Sequence, residues 1–148
     1  MGVKEIAVNR KAFHDYEILE RYEAGIVLVG TEIKSLRNGK VQLKDSYISI
    51  IHNEAYIKGM NIALYEMGNR FNHDEERERK LLLHKDEIIK LYNKVRLDGL
   101  TIIPLRIYLS KGKAKMEIAL CRGKNLHDKR QSDKERSMKL EALKALRY

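Results

Sequence analysis

The chain has 148 residues, enough for one domain with an appended segment and a modest core. Its 30 lysines and arginines against 21 acids leave a net charge of +9 and a pI near 9.6. That balance favours a polyanionic partner, nucleic acid or an anionic membrane surface, with a merely lysine-rich soluble protein as the bland alternative. A single cysteine, Cys121, excludes an intrachain disulfide and suits a reducing compartment. The longest plain apolar run, Ile26 to Val29, is far too short for a membrane span, and Lys4, Glu5, Arg10 and Lys11 break up any signal-peptide pattern. The expectation is a soluble, cytoplasmic protein.

In chain order, Asn9-Arg10-Lys11-Ala12-Phe13-His14-Asp15-Tyr16 interleaves bases with rings. Two readings suit it: phosphate contact with stacking on unpaired bases, or a polar lead-in to the first strand. Tyr16 to Val29 favours strand, with Gly25 as a bend or bulge. A short helix is predicted from an N-cap near Thr31, through Ile33 and Leu36, to Asn38-Gly39. Its Lys34 and Arg37, with Lys40 at the exit, fit either a phosphate-contacting face or a solvated one.

Tyr47 to Ile51 and Ala55 to Gly59 alternate with period two around His52-Asn53-Glu54 and predict a hairpin. Asn69 to Lys80 is charged without periodicity and reads as a long loop, its arginines diluted by Glu75, Glu76 and Glu78. Leu81-Leu82-Leu83 reads as a core strand in which one leucine faces elsewhere. Asp86 and Glu87 open a helix whose Ile88, Leu91, Tyr92 and Val95 keep helical spacing, and Gly99 closes it.

Ile103, Leu105, Ile107 and Leu109 then predict one face of a strand. Lys111-Gly112-Lys113 makes the turn, and Met116, Ile118 and Leu120 line the returning strand. Pro104 sits near the strand start, where a missing donor is tolerable. Cys121 in this alternation reads as a small buried residue rather than a reactive thiol.

Short antiparallel strands with a helix between them predict a mainly β body with flanking helices over residues 1–123. An OB-like closed barrel removes the sheet edges and presents loops to oligonucleotides; a two-layer α+β sandwich is the competitor. Residues 124–148 form a basic tail. From Arg122 to Tyr148 nine bases oppose four acids, and Gly123 to Ser132 contains one apolar residue, Leu126. Such a composition stays disordered when free. Ser132-Asp133-Lys134-Glu135 spells a capping box, with Met138, Ala142, Leu143, Ala145 and Leu146 able to line a helical stripe. An isolated helix of this length is marginal in water, so the tail reads as a conditional helix.

No enzyme signature emerges. The histidines His14, His52, His73, His84 and His127 are scattered, without HExxH, CxxC or a phosphate-cradling GxxxxGK[ST] loop. His14-Asp15 and His127-Asp128 are sequence neighbours, which ordinarily point to different sides and do not activate one another. No catalytic residue, metal or cofactor is expected.

Six strings in this order resemble the SmpB family, the small protein B of trans-translation. They are Asn9 to Tyr16, Gly30 to Lys40, Asp45-Ser46-Tyr47, Arg79 to His84, Gly99 to Leu105 and Gly123 to Arg130. The resemblance spans nearly the whole chain. It implies a six-stranded OB-like barrel with a basic C-terminal tail. It implies binding to the tRNA-like domain of tmRNA and delivery of that RNA to stalled ribosomes. The body then occupies the place of a missing anticodon arm, and the tail acts in the decoding centre and empty mRNA channel. Implied partners are tmRNA, small-subunit rRNA and elongation factor Tu with alanyl-tmRNA.

Carried over by position, RNA contact falls on Asn9, Arg10, Lys11 and His14, on Glu23, on Glu32, Lys34 and Arg37, and on Leu82 and His84. The decoding role falls on Lys124, His127, Asp128, Lys129 and Arg130. For Glu23 and Glu32 a carboxylate accepting from base amino groups or a 2′-hydroxyl competes with a structural acid capping backbone donors. Many members carry Tyr at His127 and Asn at His84, changes that keep a ring or a hydrogen-bonding head. Two rivals stay open on residues alone: a general RNA-binding OB protein, and a small RNA-processing enzyme.

Overall fold

A computed structural model describes residues 3–67 and 72–124. The strands are β1 (Val3–Val8), β2 (Tyr16–Ile26), β3 (Val41–Gln42), β4 (Tyr47–Ile51), β5 (Glu54–Lys58), β6 (Asn61–Ile62), β7 (Arg79–Leu82), β8 (Thr101–Ser110) and β9 (Lys113–Gly123). Helices α1 (Arg10–Asp15), α2 (Gly30–Arg37) and α3 (Lys85–Asp98) lie between them.

Six strands close into a ring in the order β8-β4-β5-β7-β2-β9, with β9 returning to β8. All the pairings are antiparallel, as in the OB-like barrel expected. β1 adds to the part of the β8 edge that β4 does not use, and β3 pairs with β6 separately. The ring is unevenly stitched. β2 and β9 share nine residue pairs, from Tyr16↔Gly123 to Gly25↔Lys115. By contrast β4 meets β8 only at Ile48↔Ile102, and β2 meets β7 only at Gly25↔Leu82 and Ile26↔Leu81. The barrel is therefore two ribbons, β8-β9-β2 and β4-β5-β7, joined at two narrow seams on opposite sides.

Inward-facing side chains fill the ring. Ile48, Ile57, Leu81, Ile102, Ile107, Met116, Ile118 and Leu120 belong to one core cluster, and Leu36 and Leu91 bring α2 and α3 against it. A second cluster lies outside the ring, where Ala12 of α1 packs on Ile103, Leu105, Ala119 and Cys121. The expected single face Ile103-Leu105-Ile107-Leu109 is thus divided. A register shift between Pro104 and Arg106 makes Leu105 a bulge, which moves Ile107 onto the inner face while Ile103 and Leu105 stay outside. Pro104 tolerates its missing donor beside that bulge.

Cys121 is fully buried in the outer cluster, and burial pushes its thiol up to about 11. Native protein at pH 8 should resist alkylation by iodoacetamide, and the thiol should react only on unfolding in denaturant. A thiol that reacts at the same rate in both states would contradict this packing.

Several local expectations shift. The β4–β5 turn is two residues, His52 (φ 51°) and Asn53 (φ 64°), and Glu54 already pairs with Ile51. Both left-handed positions match the type I′ turn that follows strand twist. The β2 bulge falls between Ile18 and Glu20, while Gly25 is where β2 passes from β9 to β7. α2 is capped from Val29, whose N–H donates to the Glu32 carboxylate at 2.9 Å, and Thr31 lies inside the helix. Arg79 and Lys80 belong to β7, not to a loop. α3 matches expectation, ending on Gly99 in the left-handed region (φ 66°). No helix among the described residues is long and apolar enough to cross a membrane.

Candidate nucleic-acid interface

The β2–β7 seam opens a groove of about 510 Å³, lined by Gly25, Val27, Ile33, Leu82, Lys113 and Lys115 among others. Leu82 is 55% exposed on its floor, the one leucine of the triplet that faces away from the core, as the sequence required. Gly25 packs closely against it: a Cβ there would stand 3.4 Å from Leu82 Cβ, at the near limit of ordinary contact. At the rim, Glu23 accepts from the Tyr108 hydroxyl, and the Lys115 ammonium lies 3.7 Å from its carboxylate. Burial, and then the bond to Glu23, raise the Tyr108 hydroxyl above its ordinary range and keep it a donor at neutral pH. An apolar floor flanked by two amines suits a stacked ring with its phosphates.

α2 borders the same groove through Ile33 and carries Lys34 and Arg37, both exposed. The Lys34 ammonium lies 5.4 Å from the Tyr65 ring centroid. Beneath them Glu32 is 0% exposed and pairs with two arginines, Arg79 at 2.5 Å and Arg77 at 2.6 Å. Arg79, also 0% exposed, donates to the carbonyls of Met60, Asp74 and Glu75 at 2.8 to 3.3 Å. Burial alone would raise the Glu32 carboxyl. Bonds from Arg77, the Val29 N–H and Arg79 outweigh it, holding the group below the usual carboxylate range. The buried His73 ring adds a further tie, from Thr31 Oγ1 (2.9 Å) to the Ile62 carbonyl (2.9 Å). His84, exposed, is the N-cap residue of α3 and donates its N–H to Glu87 at 3.0 Å.

The N-terminal residues gather elsewhere. Asn9 is 5% exposed: its amide donates to the Pro104 carbonyl at 2.9 Å, and its Oδ1 accepts from Ala12 N–H at 3.2 Å. It caps α1, so the polar lead-in to β2 is a short helix. Arg10 is exposed, and Lys11 pairs with Asp45 at 2.8 Å. His14 and Asp15 were expected to diverge but meet at 2.9 Å, because both stand at the end of the short helix. His14 is solvent-exposed, while Asp15 is half-buried and borders a groove shared with Lys11, Tyr16 and Asp45. Lys124 starts beside it, its N–H donating to the Asp15 carbonyl at 2.8 Å. His127, Asp128, Lys129, Arg130 and the Ser132 cap lie outside the described residues.

Glu23, Lys34, Arg37, Leu82 and His84 thus share the neighbourhood of one seam, supported by buried Glu32. Arg10, Lys11, His14 and Lys124 share the α1 side with buried Asn9. Sequence reasoning missed Lys115, Lys113 and the Arg77–Arg79 clamp. Lys113 read as hairpin turn and Lys115 as part of the returning strand, and only the β2–β9 register brings Lys115 beside Glu23. The arginines were obscured by their acidic neighbours.

A closed OB-like barrel carrying cationic, partly apolar grooves defines an RNA-binding β-barrel protein. A family model described as "SmpB protein" matches residues 6–148. Curated relatives named "SsrA-binding protein" include one from Desulfitobacterium hafniense, 56% identical over 140 residues, covering 95% of this chain and 90% of the relative. Another, from Sulfurihydrogenibium sp., is 54% identical over 99% of this chain and 97% of its own length. A solved structure described as "tmRNA-SmpB: a journey to the center of the bacterial ribosome" is 50% identical, with a TM-score of 0.70, covering 89% of this chain and 93% of that one. The chain belongs to the SmpB family.

Proposed function

We propose that the chain binds the tRNA-like domain of tmRNA and delivers it to stalled ribosomes for trans-translation, acting in the cytoplasm as an adaptor without catalysis of its own. The observation that carries this reading is the 50% identity, over most of both chains, with a solved protein described as part of a tmRNA complex in the bacterial ribosome. The body, residues 1–123, holds the RNA, and residues 124–148 act in the decoding centre and the empty mRNA channel. Small-subunit rRNA is a further partner, as is elongation factor Tu carrying alanyl-tmRNA.

Within the body, Leu82 receives a ring, Lys34, Arg37, Lys113 and Lys115 meet phosphates, and Glu23 and His84 hydrogen-bond to the RNA. Glu32 and Asn9 act through the elements they hold in place, since their polar atoms are already engaged within the chain. Arg10, Lys11 and His14 serve a second RNA contact at α1.

Gel-shift titration with the tRNA-like domain tests the site. Leu82→Asp should weaken binding by roughly tenfold or more, since it replaces a buried apolar contact of about 1.5–3 kcal/mol with a charge that repels phosphate. Affinity should also fall steeply with salt, with a log–log slope of several units from released counterions. A flat salt dependence would leave the lysines and arginines without a role. Sequencing the RNA recovered with the chain from cell extract should return tmRNA; a broad mixture of RNAs would favour a general RNA-binding protein.

A further inference from the structure

The second narrow seam, β4–β8, also opens a groove, about 380 Å³ in volume and diametrically across the ring from Leu82. Tyr47 from β4 and Tyr92 from α3 line it, each 44% exposed and so offering part of its ring to a ligand. Ser49 and Thr101 add hydroxyl-bearing side chains, and none of the ten lining residues is acidic. On α3, Lys90 and Lys94 pair with Glu20 and Asp98. The Arg96 guanidinium instead lies 5.9 Å from the Tyr92 ring centroid and, among the described residues, meets no carboxylate. Exposed rings, a cation stacked on one of them, hydroxyls and no acid are the requirements of a nucleobase with its phosphate.

We propose that the β4–β8 groove is a nucleobase-binding site, taking one unpaired base of an RNA against Tyr92 and Tyr47, with Arg96 on the adjoining phosphate. The site does not depend on the tmRNA reading of the opposite groove, because any single-stranded RNA offers this chemistry. An unpaired base of tmRNA or of ribosomal RNA would serve equally.

The test uses the full chain with labelled isoleucine and valine methyl groups and the oligoribonucleotide A6 as probe. Saturable shifts are expected at Ile50, Val95 and Ile102. Tyr92→Ala should raise the dissociation constant read from those methyls roughly tenfold, the scale of one lost base stack. Tyr92→Phe, which keeps the ring, should bind like the parent, and Arg96→Gln should weaken binding while leaving thermal melting unchanged. Repeating the titration with the tRNA-like domain separates the sources: the same methyl shifts assign the base to tmRNA, and their absence assigns it to another RNA. The proposal fails if A6 moves only the methyls around Leu82, or if the shifts persist in Tyr92→Ala. It fails too if Leu143→Asp moves these methyls in RNA-free protein, since the chain's own tail would then occupy the groove.

Discussion

Glu32→Ala should lower the unfolding free energy by about 3–5 kcal/mol, a large part of the stability of a domain this size. The substitution deletes the carboxylate that balances Arg79, a guanidinium with no solvent exposure, and leaves its charge uncompensated in the interior. Urea unfolding at neutral pH measures the loss. The companion Glu32→Ala/Arg79→Met should recover part of it, because removing both charges also removes their desolvation cost. The pH dependence has a definite sign. The folded carboxyl titrates below its ordinary value of 4.5, so its contribution is complete above that value and disappears as pH falls through the lower, folded one. The gap between parent and Glu32→Gln should accordingly narrow in acid. A parent as insensitive as the variant would show that the cluster contributes no net stability. The same cluster fixes α2 beneath Lys34 and Arg37. Loss of RNA affinity in Glu32→Ala therefore reports displaced lysine and arginine heads, not a missing carboxylate–RNA bond.

Removing residues 124–148 should abolish peptide tagging on ribosomes stalled at the end of a non-stop message while leaving the tRNA-like domain bound. Every body residue assigned to that RNA lies before Lys124, whereas the tail holds His127, Lys129, Arg130 and the Ser132–Glu135 capping box. On the reading of the tail as a conditional helix, ordering it costs about 1–2 kcal/mol per residue in backbone entropy, which contacts in the ribosomal channel would have to offset. Leu140→Pro gives a finer test. Proline within the proposed helix should cost roughly 3 kcal/mol of helix stability and cripple tagging without changing a gel shift. Normal tagging by Leu140→Pro would leave charge and His127, rather than helicity, as what the tail supplies.

The alternating strands were legible from their isoleucines and leucines, a pattern β4, β5 and β9 follow closely, although β9 also buries Ala119 and Cys121 on its outer face. α3 was legible from its spacing and its terminal glycine. α1 was not, because six residues give too little periodicity and its cap, Asn9, bonds to a carbonyl 95 positions away. β8 defeated simple alternation at its bulge. The candidate site was legible mostly by resemblance. Burial favours the structural-acid reading of Glu32, and that burial depends on Arg79 arriving from 47 residues later. For Glu23 the rim position, and not its charge, gives the residue access to a ligand.

The pairing of β2 with β9 has a consequence for how the protein is made. Tyr16 finds Gly123 only after 107 further residues have been joined, and β1 likewise waits for β8. A chain emerging N-terminus first therefore carries its two earliest strands with bare edges until nearly the whole body has been synthesised. The early elements have only the short β4–β5 hairpin to nucleate upon, and loop closure across about 100 residues must precede the most extensive ladder. Any copy broken off before Lys113 lacks β9 altogether, along with both lysines of the β2–β7 groove and every residue of the tail. Such a fragment can neither close the barrel nor complete either proposed RNA-binding region, so a folded, working molecule is itself a certificate that its own translation ran past the last strand.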